Sequence, residues 1–260
     1  MLTHKYIILP GFNKGRIKKK MINKNDFIEI EYTGMIKDEG IVFDTTDKKT
    51  AEENGIAEQR ADYGPIVICV GHGQVIRGLD RQIEGKETGR EYRIAVEPEE
   101  AFGKKSAQFI QLVPSSKFRQ NDIIPQPGMQ VNVDGSVGII KTVSGGRILV
   151  DFNHPLSGKV LEYTVKANRK VEDDKEKLRK YLGLMLNTKD ISVELAEGKA
   201  EVRLETQLPE QIQAEMLKKV KEAIPAIKEI TFRKEEKEKK EKEKNGEKAQ
   251  KPEKKAPVNE

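Results

Sequence analysis

The stretch Phe27-Ile28-Glu29-Ile30-Glu31-Tyr32-Thr33 alternates apolar and polar residues, a period of two that a half-buried strand satisfies and a helix does not. Short runs of strand character recur at Ile66–Val70, Arg90–Val96, Phe109–Val113, Met129–Val133, Val137–Val143, Arg147–Phe152 and Val160–Val165, separated by Gly- and Pro-bearing turns. One helix is expected over Gln74–Ile83, with apolar residues at 75, 76, 79 and 83 and Gly85 as its C-cap. Residues 47–62 are polar, show no clear period and read as a loop or a short irregular insertion. The first 172 residues therefore predict an α+β fold dominated by strands.

The texture changes at Asp173. Asp174–Leu186 is amphipathic, with Leu178, Leu182 and Met185 on one face, and Glu210–Ile224 repeats the pattern through Ile212, Met216, Val220 and Ile224. Between them Ile191–Leu195 and Ala200–Thr206 read as a hairpin turning at Glu197-Gly198, and Ala226–Phe232 closes with a strand. A block of about 60 residues is marginal as an independent fold.

Both ends are strongly charged. Residues 1–20 carry six Lys or Arg and no acid, and residues 233–260 carry 11 bases and 8 acids. The 31 bases and 35 acids left for residues 21–232 give a net charge of −4, so the formal +5 of the chain belongs to its flanks. Both flanks are expected to be disordered, and nucleic acid is not an expected partner, because interleaved Glu cancels most of the field of the Lys-rich tail. The single cysteine, Cys69, lies in the apolar run Ile66–Val70 and reads as a small core residue. It excludes an internal disulfide and fits a reducing compartment. No window has the roughly 18 apolar residues of a membrane span, and the basic cluster at Arg16–Lys20 follows the short apolar run Tyr6–Leu9, the reverse of a signal peptide. A cytoplasmic protein is expected. His4, His72 and His154 share no metal-ligand spacing, so neither metal nor cofactor is expected.

Five short strings occur in order: Ile30-Glu31-Tyr32-Thr33-Gly34, Val42-Phe43-Asp44, Gly73-Gln74-Val75-Ile76-Arg77-Gly78-Leu79, Gly85-Lys86-Glu87-Thr88-Gly89 and Glu99-Glu100-Ala101-Phe102-Gly103. Together they resemble the macrolide-binding prolyl isomerases called FKBPs. The stretch 104–151, followed by Asn153-His154-Pro155-Leu156-Ser157-Gly158-Lys159, resembles the insert-in-flap of SlyD-type members. Residues 173–232 resemble the extra C-terminal domain of longer archaeal members. The resemblance implies an antiparallel half-barrel sheet wrapped on a short helix (residues 22–104 and 152–172), interrupted by a β-rich flap domain (105–151). A small C-terminal α/β domain (173–232) follows, between a basic extension (1–21) and a Lys/Glu tail (233–260).

Carried over by position, the resemblance implies a proline pocket lined by Tyr32, Phe43, Asp44, Val75, Ile76, Leu79, Phe102 and Tyr163. Leu79 stands where the family floor is a Trp or another large apolar residue, Phe102 where Tyr is usual, and Tyr163 where Phe is usual. Tyr63 is the candidate for one further pocket aromatic. The implied partners are polypeptides with X–Pro bonds and macrolide inhibitors. Apolar flap residues Phe109, Ile110, Leu112 and Val113 are expected to be exposed and to hold unfolded chains. Two other readings use the same residues: a chaperone without catalysis, or a ribosome- or RNA-associated adaptor acting through the basic flanks.

Overall fold

A computed structural model describes residues 20–60 and 62–235. The expectations for residues 1–19 and for the tail from 236 onward lie outside the described residues. Element order is β1 (Phe27–Ile36), β2 (Ile41–Thr45), α1 (Lys48–Glu53), β3 (Ile66–Cys69), α2 (Arg77–Ile83), β4 (Glu91–Val96), β5 (Ile110–Pro114), α3 (Ser115–Arg119), β6 (Gln130–Val133), β7 (Ser136–Ser144), β8 (Arg147–Asp151), β9 (Leu161–Lys170), α4 (Asp174–Leu186), β10 (Ile191–Ala196), β11 (Lys199–Leu204), α5 (Glu210–Ala223) and β12 (Glu229–Lys234).

The first sheet runs β2-β1-β9-β4, and β3 shares with β2 the same edge of β1, taking its N-terminal half. All its pairings are antiparallel. The alternation of β1 sorts its residues by face. Ile28, Ile30, Tyr32 and Ile36 enter one core with Ile68, Leu79, Ile83, Ile94, Val96, Leu161, Tyr163, Val165 and Ala167. Helix α2 lies across this face, so closely against β4 that a Cβ on Gly78 would come within 2.3 Å of Val96 Cγ1. That contact explains why the helix carries glycine where its propensity argues against it.

Phe27, Val67 and Cys69 are buried on the opposite face, in a second core with Leu178, Tyr181 and Leu182 of α4 and the apolar faces of β10, β11 and α5. The 173–232 segment has the expected α-β-β-α-β order, with β10-β11 antiparallel and β11-β12 parallel. The main sheet thus completes its core by lending it one apolar face, which answers the marginal size of the block. A third core, of Val113, Phe118, Val131, Ile140, Ile148 and Val150, lies within the four-stranded sheet β5-β8-β7-β6.

Three local expectations need correction. Residues 47–62 are not simply a loop. Asp47 caps α1, its carboxylate accepting from Thr50 N at 2.7 Å, and Lys48–Glu52 and Lys49–Glu53 pair along the outside. Ala51 is the helix's one buried residue, too little to leave an apolar period. Helix α2 starts at Arg77 rather than Gln74, because Gln74 turns its Oε1 to accept from Cys69 N at 2.6 Å. Val113 is not an exposed flap residue: 6% exposed, it faces the insert's own core, since alternate residues of β5 point opposite ways.

Candidate active site

The glycine of the string Tyr32-Thr33-Gly34 creates the space for a cup of rings. Gly34 pairs with Tyr163 on β9 and Asp44 on β2, and a Cβ there would meet Phe43 Cζ and Tyr163 Cε1, both at 2.8 Å. Without it the two rings close in, edge to face with centroids 5.8 Å apart. Tyr32, two residues back on the same face of β1, brings its ring to 5.9 Å from Tyr163. Leu79 of α2, 1% exposed, lies in the same core cluster. Phe43, Val75, Ile76, Phe102 and Leu156 are half-buried around the same core. Seven of the eight residues inferred for the pocket belong to this one cluster, and Asp44 is tied to it through Tyr32. Tyr63 is not in that cluster; it lines a surface cavity together with Tyr32, and its hydroxyl donates towards the carbonyls of Ile56 and Ala57 in its own loop.

The polar groups of the cup are tied to each other. The Tyr32 hydroxyl donates to Asp44 Oδ2 at 2.7 Å. Arg60, which sequence reasoning missed, donates both to that hydroxyl and to Asp44, at 3.0 Å to Oδ1 and 3.2 Å to Oδ2. Its guanidinium carbon lies 5.5 Å from the Tyr32 ring centre. An arginine within a charged, aperiodic segment carries no signal that singles it out. Burial, then the Asp44 charge, pushes the Tyr32 phenol above its ordinary value, and burial does the same for Tyr163. Both rings therefore stay neutral at physiological pH.

The segment leading to α2 is clamped. Asp80 accepts from Gly71 N at 2.8 Å and Gly73 N at 2.9 Å, holding the turn that delivers Val75 and Ile76. The Ile76 N–H, just ahead of the helix, donates to no group among the described residues. Cys69, behind this turn, is fully buried; burial first, then Asp80 and Asp26, push its thiol up to about 12, so it is no nucleophile. Among the described residues no three His, Cys, Asp or Glu side chains gather as a metal site, and no helix is long and apolar enough to cross a membrane.

The segment returning from the insert is fastened to Phe102 and Gly103. His154 stacks on Phe102 with ring centres 4.4 Å apart and planes 4° from parallel. Ser157 Oγ donates to Phe102 O at 2.9 Å, and Gly158 N to Gly103 O at 2.8 Å. At the crossing into the insert, Asn153 donates to Ser106 O and to Asp151, and its Oδ1 accepts from Ser106 N at 2.8 Å.

Residues 18–118 match the family FKBP-type peptidyl-prolyl cis-trans isomerase, and residues 111–156 match FKBP26, IF domain. The chain is 34% identical over 147 residues to the short-type peptidyl-prolyl cis-trans isomerase of Methanocaldococcus jannaschii, a span of 56% of this chain and 92% of that protein. The chain belongs to the FKBP-type peptidyl-prolyl cis–trans isomerase family. It is also 34% identical over 107 residues to the FKBP-type isomerase SlyD of Haemophilus influenzae, covering 40% of this chain and 56% of that one. With SlyD of Treponema pallidum it shares 30% over 154 residues, 56% of this chain and 78% of the other. The FKBP match takes in the pocket strings from β1 to Gly103, and the insert match overlaps it and runs on to Leu156.

Proposed function

We propose that this chain interconverts the cis and trans forms of peptide bonds preceding proline in cytoplasmic polypeptides, and that its insert holds unfolded chains beside the pocket. What supports the catalytic part is the cluster of Tyr32, Phe43, Phe102 and Tyr163 with Leu79, and an Ile76 N–H that donates to no group among the described residues. An amide resists rotation by about 18–20 kcal/mol because resonance stiffens the C–N bond. No bond is cut on the way, so neither nucleophile nor metal is needed. In this reading Tyr32, Phe43, Phe102 and Tyr163 grip the proline ring above Leu79, Val75 lines the wall, and Ile76 N–H binds a carbonyl flanking the proline. The cup strips water from the amide carbonyl, which disfavours its charge-separated resonance form and favours the twisted state. Asp44, held by Arg60, fixes the Tyr32 ring. A macrolide would compete for the same cup.

Residues 22–104 and 152–172 are the isomerase unit in this reading, and 105–151 the holding unit. Phe109, Ile110 and Leu112 are exposed on the insert, at 53%, 37% and 58%. Such surface on a small unit raises the local concentration of unfolded chain.

The test pairs a proline tetrapeptide with an unfolded protein client. Phe43→Ala should cut tetrapeptide turnover at least tenfold while client binding persists. The double change Phe109→Ser, Leu112→Ser should weaken client binding several-fold with tetrapeptide turnover intact. Unchanged turnover in the first variant removes the pocket assignment; unchanged binding in the second removes the holding role.

A further inference from the structure

The C-terminal block touches the isomerase unit at a second place, beside the turn ahead of α2. That turn, Gly71-His72-Gly73, delivers Val75 and Ile76 to the pocket cluster. Gly71 and Gly73 have φ of +85° and +65°, conformations that glycine allows but does not enforce. The course of the turn therefore depends on what holds it from its surroundings. Asp80 accepts from the amides of both glycines, and Gln74 closes the turn onto Cys69 N. These anchors lie in the isomerase unit itself; the His72 side chain reaches beyond it.

The His72 ring meets Tyr181 of α4 edge to face, with centres 6.2 Å apart and planes at 84°. Its Nε2–H donates to Asn25 Oδ1 at 3.1 Å, and Asn25 N donates to Val70 O at 2.9 Å, which ties the ring to the strand end before the turn. Tyr181 is 4% exposed and also packs on Phe27 of β1, with ring centres 5.9 Å apart. It cannot give way without disturbing the core that the block shares with the sheet. Cys69, just before the turn, lies in that same core with Leu178 and Leu182. The segment that carries the Ile76 N–H is thus backed by α4 at two points, Cys69 and His72.

We propose that Tyr181 and His72 are positioning residues of the isomerase: through their ring contact the C-terminal block sets the turn that places Val75 and the Ile76 N–H. The inference rests on the isomerase reading above. An aromatic pair of this geometry corresponds to about a two- to tenfold change in an equilibrium, and its loss should lower kcat/KM by about that much at most. A donor that serves the twisted amide better than the planar one acts in the transition state, so the loss should fall on kcat rather than on KM.

The experiment uses the full chain and a proline tetrapeptide, at a temperature where calorimetry shows every variant folded. His72→Ala removes the ring contact from a half-buried turn, and Tyr181→Leu removes it from the other side. His72→Phe keeps the ring contact and loses only the bond to Asn25. His72→Ala and Tyr181→Leu should each lower kcat about two- to tenfold with KM little changed, and the double variant should be no worse than the more affected single one. His72→Phe should stay within about twofold of the unmodified chain. Amide nitrogen-15 spectra of Tyr181→Leu should show the Val75 and Ile76 signals displaced and those of β6 and β7 in place, a pattern that a general loss of stability would not produce. Full activity of His72→Ala, a loss in His72→Phe equal to that in His72→Ala, additive losses in the double variant, or Val75 and Ile76 signals indifferent to Tyr181→Leu each overturn the proposal and leave the isomerase reading standing. An unmodified chain inactive on the tetrapeptide overturns both.

Discussion

Replacing Leu182 with Ala tests whether the C-terminal block and the isomerase sheet share one core. Leu182 is fully buried on α4 in the cluster that contains Phe27, Val67 and Cys69 from the far face of the main sheet. Truncating a leucine enclosed on all sides costs about 2.7–5.0 kcal/mol, the loss growing with the cavity that remains. Neighbours on both the helix and the sheet are held by their own strands, which limits collapse and suggests about 3 kcal/mol. For a folded region of this size each kcal/mol moves the melting temperature by about 2–4 °C, giving a fall of about 6–12 °C. Calorimetry should show that fall in a single transition. Amide exchange should quicken in β3, at Ile68 and Cys69, as well as in β10 and β11. If the block melted early and alone, with exchange in β3 unchanged, the shared-core argument would be wrong.

Three further outcomes follow from the cup. Gly34→Ala forces Phe43 and Tyr163 apart, so it should cost about 1–3 kcal/mol in denaturant titration and lower tetrapeptide turnover; near-normal values of both would refute the close-approach argument. Arg60→Met releases the Tyr32 hydroxyl and Asp44, and should destabilise by no more than about 1 kcal/mol while reducing turnover several-fold; unaltered turnover would show that the clamp is idle. Tyr32 and Tyr163 both have phenols raised above the ordinary 10.0, so their contribution is complete below that value and lost as pH climbs toward the folded values; the urea midpoint should fall above about pH 10, and less steeply in Tyr32→Phe. A midpoint flat through that range would contradict the assignment of burial to these rings.

The pocket residues were named only through the resemblance of the five strings to the FKBP family. The period of two in β1 assigns Ile28, Ile30 and Tyr32 to one face, and the strings around Phe43, Ile76 and Phe102 supply the rest. The long helices α4 and α5 showed most of their apolar faces because many turns repeat the signal, though Ile212 in the first turn of α5 is 40% exposed rather than packed. Helices α1 and α3 bury one residue each, Ala51 and Phe118, and one point defines no period. Cys69 was readable as core, but not that its core is the one under α4, because which side of an edge strand is covered depends on residues a hundred positions away. Arg60 and the stacked pose of His154 were illegible for a related reason, since each acquires meaning from partners on other segments. Val113 was misplaced because an all-apolar run conceals which residues face inward until the strand is paired.

The most direct test is the refolding of a model protein whose slow phase is limited by a proline isomerisation, followed without protease and with catalytic amounts of the full chain. Acceleration of that phase by the unmodified chain, abolished when Phe43 and Asp44 are both changed to Ala, is the predicted result. A slow phase that the unmodified chain leaves untouched, while it still suppresses aggregation, would contradict the isomerase reading and leave a protein that only holds unfolded chains.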